Sequence, residues 1–192
     1  MSNYRIWQQH GLNYVTLTVV GWADVFTRQR YRDIIIESLR FCQQQKGLHI
    51  MGYVLMSNHL HMIVHTEGYE LSNVLRDFKK FTANQILKSI QTEPESRREW
   101  LLNLLKWYAQ QNSDNTHYQF WQQGNHPIAL WTLEVIWQKL TYIHLNPVRA
   151  GIVVEPQHYV YSSAGDYYAN RKGLLDIELM EPIGPIKPTG YY

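Results

Sequence analysis

Residues 49–66 read HIMGYVLMSNHLHMIVHT. His49 to Met56 reads as a strand, Ser57-Asn58 is turn chemistry, and His59 to Thr66 reads as the returning strand of a hairpin. On that second strand Leu60, Met62 and Val64 alternate with His59 and His61. Successive strand side chains point to opposite faces, so the apolar set belongs to the core and the histidines to the other face. Two imidazoles at positions i and i+2 lie roughly 6.5 Å apart along the chain and can converge on one ion. His65 shares their face but lies beyond Ile63, which predicts that it is too far away to be a third ligand. From spacing alone the pair reads either as a metal site or as two surface histidines.

Working outward, Tyr14 to Val20 alternates and is rich in β-branched types, which predicts a strand broken by Gly21-Trp22-Ala23-Asp24. Ile34, Ile35, Leu39 and Cys42 recur at helical spacing from about Arg28 to Gln45, and Gly47 is the stop signal. Beyond the hairpin, Leu71, Val74, Leu75, Phe78, Thr82 and Ile86 form a helical stripe that runs to about Ile90. A further helix is expected from Ser96 to Gln110, with Thr92-x-x-Glu95 and Ser96-x-x-Glu99 as alternative capping boxes. A polar loop (Gln111 to Thr116), a short strand (His117 to Gln122) and a helix (Thr132 to Leu145) follow. Pro147 is expected to end that helix at Asn146. A short helix near Ser162 to Tyr168 and a Pro-rich tail complete the chain. Apart from the helix at 96–110, this order predicts an α+β fold: a split β-α-β unit with an antiparallel sheet and helices on one face.

The helix at 132–145 supplies a second chemical group. Its stripe is Leu133, Ile136, Trp137, Leu140 and Ile143. Tyr142 lies roughly 200° around from Leu140, nearly opposite the stripe. Asn146, four residues on, shares its face. One helix can therefore present a phenol and an amide oxygen together, or simply an exposed Tyr followed by a capping Asn. The sequence contains neither a Gly-x-Ser-x-Gly elbow nor a Gly-rich phosphate loop.

Composition bounds these readings. The chain has 192 residues, 45% hydrophobic and 18% charged, enough for one domain with a real core. The lone Cys42 excludes an intramolecular disulfide and any multi-cysteine zinc site. No apolar run reaches the ~18 residues that span a bilayer, and no apolar core follows Met-Ser-Asn-Tyr-Arg at the N-terminus. Neither a membrane span nor a signal peptide is therefore expected, and a cytoplasmic location is. A net charge of +2 is uninformative. The run of Arg76, Lys79, Lys80 and Lys88, followed by Arg97-Arg98, reads either as solvated helix face or as a phosphate-contacting ridge.

Two motifs carry a family resemblance. Tyr53-Val-Leu-Met-Ser-Asn-His59-Leu-His61-Met-Ile-Val resembles the His-hydrophobic-His (HUH) strand of the single-tyrosine transposases. Tyr142-Ile-His-Leu-Asn146-Pro-Val-Arg-Ala-Gly-Ile-Val resembles the second signature of one branch, the REP-associated tyrosine transposases and their insertion-sequence relatives. Leu71-Ser72, Leu75 to Thr82, Phe120-Trp121-Gln122 and Tyr161 to Ala164 fit as well. Ser57 stands where the family often has Pro, a turn position with no catalytic role.

The resemblance implies a ferredoxin-like core with the histidine strand at its centre. It also implies one domain over residues 1–180, with a helical insertion at about 92–115 and a tail at 181–192. Tyr142 would be the nucleophile, and His59, His61 and Asn146 would hold Mg²⁺ or Mn²⁺; imidazole ligands favour Mn²⁺. The implied reaction is metal-dependent cleavage and rejoining of single-stranded DNA beside imperfect hairpins, through a 5′-phosphotyrosine link. A phenol titrates near ~10, so the nearby cation would assist its ionisation. Hairpin contacts would fall to Arg76, Lys79, Lys80, Arg97 and Arg149, with Trp121 and His126 near unpaired bases. Relatives work as monomers or as homodimers, and a bacterial, nucleoid-associated protein is implied. The alternatives are a non-catalytic hairpin-binding derivative of a transposase, and a metal-dependent phosphodiesterase in which water attacks.

Overall fold

The computed structural model describes residues 6–111 and 117–181. Strand β1 (Asn13–Thr18) leads through two 3-10 turns, Val20–Trp22 and Val25–Thr27, into helix α1 (Gln29–Gln45). The hairpin β2 (Leu48–Leu55) and β3 (His59–Thr66) follows, then α2 (Leu71–Thr92) and α3 (Arg98–Gln110). After these come β4 (Ile128–Ala129), α4 (Leu133–Arg149), a 3-10 turn at Pro156–His158, and α5 (Ala164–Tyr168). The strands form one antiparallel sheet in the order β2-β3-β1-β4. The expected α+β class and split β-α-β core are present, with the histidine strand interior to the sheet. Except for Gln111 and Glu181, the polar loop at 111–116 and the tail at 181–192 lie outside the described residues.

The alternation in β3 sorts the two faces as its pattern predicts. Leu60, Met62 and Val64, with Val15 and Leu17 of β1, join the larger core under α1 and α2. Tyr14 and Ile63, on the other face, join a second core with Ile136, Leu140 and Ile143 of α4. The one-face arrangement thus describes α1 and α2, while α4 adds a layer on the histidine side. Gly52 admits that layer. A Cβ at Gly52 would collide with Leu140 Cδ1, and β2 shifts register between Ile50 and Gly52. Missing side chain and bulge together let a helix approach the sheet closely.

Three local expectations are corrected. Residues 117–122 form no strand; Trp121 makes only an isolated bridge to Val19, and the fourth strand is the two-residue β4. The aromatic run there fills the core instead, with Phe120 and Trp121 buried. Helix α4 continues through Pro147 to Arg149. Proline costs one N–H near the helix end, while Ala150 N–H still reaches the Asn146 carbonyl at 3.0 Å and Pro147 is buried. Neither capping box forms, since α3 begins after Arg97 with no side-chain cap. Glu95 is drawn inward instead, where its carboxylate accepts from Tyr31 Oη (3.0 Å) and the Arg97 N–H (3.1 Å).

On α4, His144 is wholly buried, its Nε2 2.8 Å from Ser163 Oγ and its Nδ1 3.0 Å from Tyr168 Oη. Burial pushes it down from the ordinary 6.5 to about 3. The unfolded chain therefore binds more protons between those values. Stability from the neutral ring is present above the unfolded value and is lost as pH falls toward the folded one. Thermal unfolding should shift to lower temperature from about pH 7 to about pH 5, and less steeply in His144→Gln. Equal slopes in the two proteins would contradict this.

Candidate active site

His59 and His61 stand opposite Thr18 and Thr16 across the β1–β3 ladder. Their rings meet edge to face with centroids 4.6 Å apart. Tyr142 reaches them from α4, its ring centroid 5.6 Å from that of His61. The tyrosine and the histidine pair of one chain thus meet in one place. Tyr142 is 39% exposed, consistent with a position off the packed stripe of α4.

Neighbouring groups set which histidine nitrogens are available. Asn58 Nδ2 donates to the Trp22 carbonyl (3.0 Å), which turns Asn58 Oδ1 toward His59 Nδ1 at 2.6 Å. His59 therefore carries its proton on Nδ1 and keeps a lone pair on Nε2. His61 Nδ1 lies 2.8 Å from both Tyr14 Oη and Thr16 Oγ1, which leaves its Nε2 for a ligand. Burial pushes His59 down to about 4. Burial, with help from the charges of His59 and Lys139, pushes His61 down to about 3. Both rings are neutral near pH 7, the form that binds metal. Asn146 Nδ2 donates to the Tyr142 carbonyl at 2.8 Å, so Oδ1 is the atom that could serve as a ligand. Two imidazole nitrogens and an amide oxygen suit Mn²⁺ and accommodate Mg²⁺.

The site holds residues that the motifs did not single out. Tyr14 is a second phenol beside His61, but burial pushes its hydroxyl up to about 12, partly offset by the Thr16 hydrogen bond. It serves to orient His61 and is a poor nucleophile. The pattern that finds it is cross-strand: residues 14, 16 and 18 of β1 share the histidine face. Lys139 Nζ lies 5.1 Å from the Tyr14 ring centroid, and Arg149 Cζ lies 5.5 Å from that of Tyr142. With Tyr142 and Asn146 these two cations follow the three- and four-residue spacing of one helix face. Trp22 is 64% exposed and lies edge-on to His59, with centroids 6.2 Å apart. Gly21, at φ +62°, faces Leu104 and Tyr108 of α3, and Arg97 Nη1 contacts Asp24 at 2.6 Å. The helical insertion thus buttresses the turn that carries Trp22.

The expected hairpin-contact residues separate into two groups. Lys79 is turned inward, its ammonium bound to the carbonyls of Gln122 (2.9 Å) and Gly124 (3.2 Å), and burial pushes it down to about 8. It fastens the loop before β4 rather than facing solvent. Arg97 is held by Asp24 and Glu95. Trp121 is buried, with Nε1 on Thr82 Oγ1 at 3.1 Å. These three take structural positions because the core and the insertion claim them first. Arg76 and Lys80 are exposed on α2, in the layer opposite the histidines, and Arg76 pairs with Asp77 at 2.9 Å. His126 and Arg149 are exposed.

Residues 15–102, which include the histidine strand, match the family described as "Transposase IS200 like". A REP-associated tyrosine transposase bound to a REP hairpin is similar in structure over 95% of this chain and 99% of its own, with a TM-score of 0.60 and 19% identity. A candidate transposase from Deinococcus radiodurans R1 aligns over 70% of this chain and 89% of its own, at 13% identity and a TM-score of 0.42. No curated protein matches the sequence. The stretch bearing the histidine pair is thus similar in sequence to the IS200-like transposases, and the fold is that of the REP-associated relative. Among the described residues no helix is long and apolar enough to cross a membrane.

Proposed function

We propose that the protein is a metal-dependent transposase that cleaves and rejoins single-stranded DNA near hairpins, with Tyr142 as nucleophile. The observation that carries this is the meeting of Tyr142 with His59 and His61 inside one chain. The hairpin bound by the REP-associated relative adds support for the DNA partner. A divalent cation, Mg²⁺ or Mn²⁺, on His59 Nε2, His61 Nε2 and Asn146 Oδ1 would supply Lewis-acid stabilisation of charge on the phosphate.

The chain's own groups do the rest. Tyr142 Oη attacks phosphorus, forming a tyrosine–phosphate bond to the 5′ end and releasing the 3′-OH. That link conserves the phosphodiester energy, so a 3′-OH can reverse it. Lys139 and Arg149 place positive charge beside the phenol and the entering phosphate. Trp22 offers a stacking face for an unpaired base next to His59. Arg76, Lys80 and His126 remain for more distant hairpin contacts. Residues 1–180 act as one unit, and a homodimer is not needed to complete the site.

Tyr14→Phe removes one hydroxyl from His61 Nδ1 and is expected to cost about 10–100-fold in metal affinity or cleavage, as loss of an outer-shell partner does. Full activity in Tyr14→Phe would remove Tyr14 from the account. The reading as a whole is tested with a labelled hairpin oligonucleotide and Mn²⁺. Cleavage is expected, and His59→Ala should lower it at least about tenfold. A non-catalytic hairpin reader would shift the oligonucleotide on a native gel without cutting it. A water-using phosphodiesterase would cut without retaining DNA on the protein.

A further inference from the structure

A second cluster of ligating side chains lies at the other end of β3. His49 and His65 stand directly opposite each other in the β2–β3 ladder. Their rings are stacked, 9° from parallel, with centroids 4.6 Å apart. The Glu178 carboxylate caps the pair, 2.9 Å from His65 Nε2 and 3.8 Å from His49 Nδ1. One donor atom from each residue can be chosen so that all three lie within 4.8 Å of one another. Glu67 is adjacent, its carboxylate 3.8 Å from His49 Nε2.

Glu178 does not arrive there by side-chain reach alone. Its N–H donates to the Ile50 carbonyl at 2.9 Å, which adds the backbone around it to the open edge of β2. Upstream, Arg40 and Gln43 of α1 hold the Leu174 carbonyl (2.9 Å) and the Asp176 carbonyl (2.6 Å). The segment therefore forms a strap across the edge of the sheet, and Glu178 is presented to the histidines by that strap. His65 lies four residues from His61, roughly 13 Å along a strand, too far for the two clusters to share an ion.

We infer that His49, His65 and Glu178 form a second divalent-metal site, of the two-imidazole, one-carboxylate type that zinc-class ions prefer. Its role is to fasten the strap at 174–180 to β2, apart from the DNA chemistry. Tetrahedral ligands at about 2.0–2.2 Å from an ion stand about 3.4 Å from each other. The present spacings bracket that value, and all three side chains are partly exposed and free to close the remaining gap. The open fourth position would go to water, while Glu67 would accept from the other ring nitrogen of His49.

The test uses the full chain carrying His59→Ala and His61→Ala, which removes the other imidazole pair. Titration with Zn²⁺ should show one ion bound per chain, and Co²⁺ should give the visible absorption of a tetrahedral site. Adding His49→Ala and His65→Ala should weaken binding by more than the about 10–100-fold cost of losing an outer-shell partner. Glu178→Gln, which keeps the shape and tests the carboxylate alone, should weaken it as well. Zn²⁺ should also slow proteolysis within 174–180. Absence of Zn²⁺ binding in the starting variant would overturn the inference, as would binding that survives loss of His49 and His65. Neither result bears on Tyr142.

Discussion

Tyr142→Phe should lower strand cleavage on the order of 10³-fold or more, the scale seen when a nucleophile is deleted, and leave hairpin binding in place. The hydroxyl makes no hydrogen bond among the described residues, and the ring is 39% exposed, so its loss leaves packing intact. The edge contact with His61 belongs to the ring, which Phe retains. Retained cleavage in the variant would transfer the reaction to water or to another phenol. Tyr14, the nearest alternative, is committed to His61 and held protonated by burial.

The largest stability effect is expected far from the chemistry, at Glu95. Its side chain is fully shielded from solvent. Burial alone would raise its carboxyl, but the Arg97 N–H, the Tyr31 hydroxyl and the charges of Arg28 and Arg97 hold it below the usual range. Glu95→Ala strands the Tyr31 hydroxyl and leaves Arg28, Arg30 and Arg97 without their shared anion. Loss of one partner from a buried pair costs about 3–5 kcal/mol, and the partial exposure of the arginines trims this to about 2–4 kcal/mol. At about 2–4 °C per kcal/mol for a chain of this size, Tm should fall by about 4–16 °C at pH 7. Glu95→Gln, which keeps an acceptor for Tyr31, should lose less. Because α3 and Arg97 support the turn bearing Trp22, Glu95→Ala should also weaken single-stranded DNA binding. An unchanged Tm would mean that Glu95 is not the anchor of the insertion.

What the sequence disclosed follows from how local each signal is. Period-two alternation in β3 separated His59 and His61 from Leu60, Met62 and Val64, because a half-buried strand leaves no choice of face. The apolar stripe of α4 put Tyr142 and Asn146 together off the packed side, for the same reason at a helical period. Long-range facts were not legible. Nothing in residues 133–149 says that the helix crosses to the histidine face; that depends on Gly52, a residue of another element. Lys79, Arg97 and Trp121 read as DNA contacts because charge and aromaticity look alike whether they face solvent or a loop carbonyl. Tyr14 and Trp22 were hidden because their importance comes from register and from a turn held by α3. The proline at 147 misled for a simpler reason: one missing N–H near a helix end is too small a loss to stop a helix whose last turn is packed.

The central claim is that Tyr142 of a chain acts at that chain's own histidines. It is tested most directly by trapping the covalent product. The protein would be incubated with a labelled hairpin oligonucleotide and Mn²⁺, digested with a protease, and the DNA-bearing peptide sequenced by mass spectrometry. The expected product is a peptide containing Tyr142, linked through its phenol oxygen to a 5′-phosphate. An adduct on any other residue, or cleavage that leaves no DNA on the protein, would contradict it.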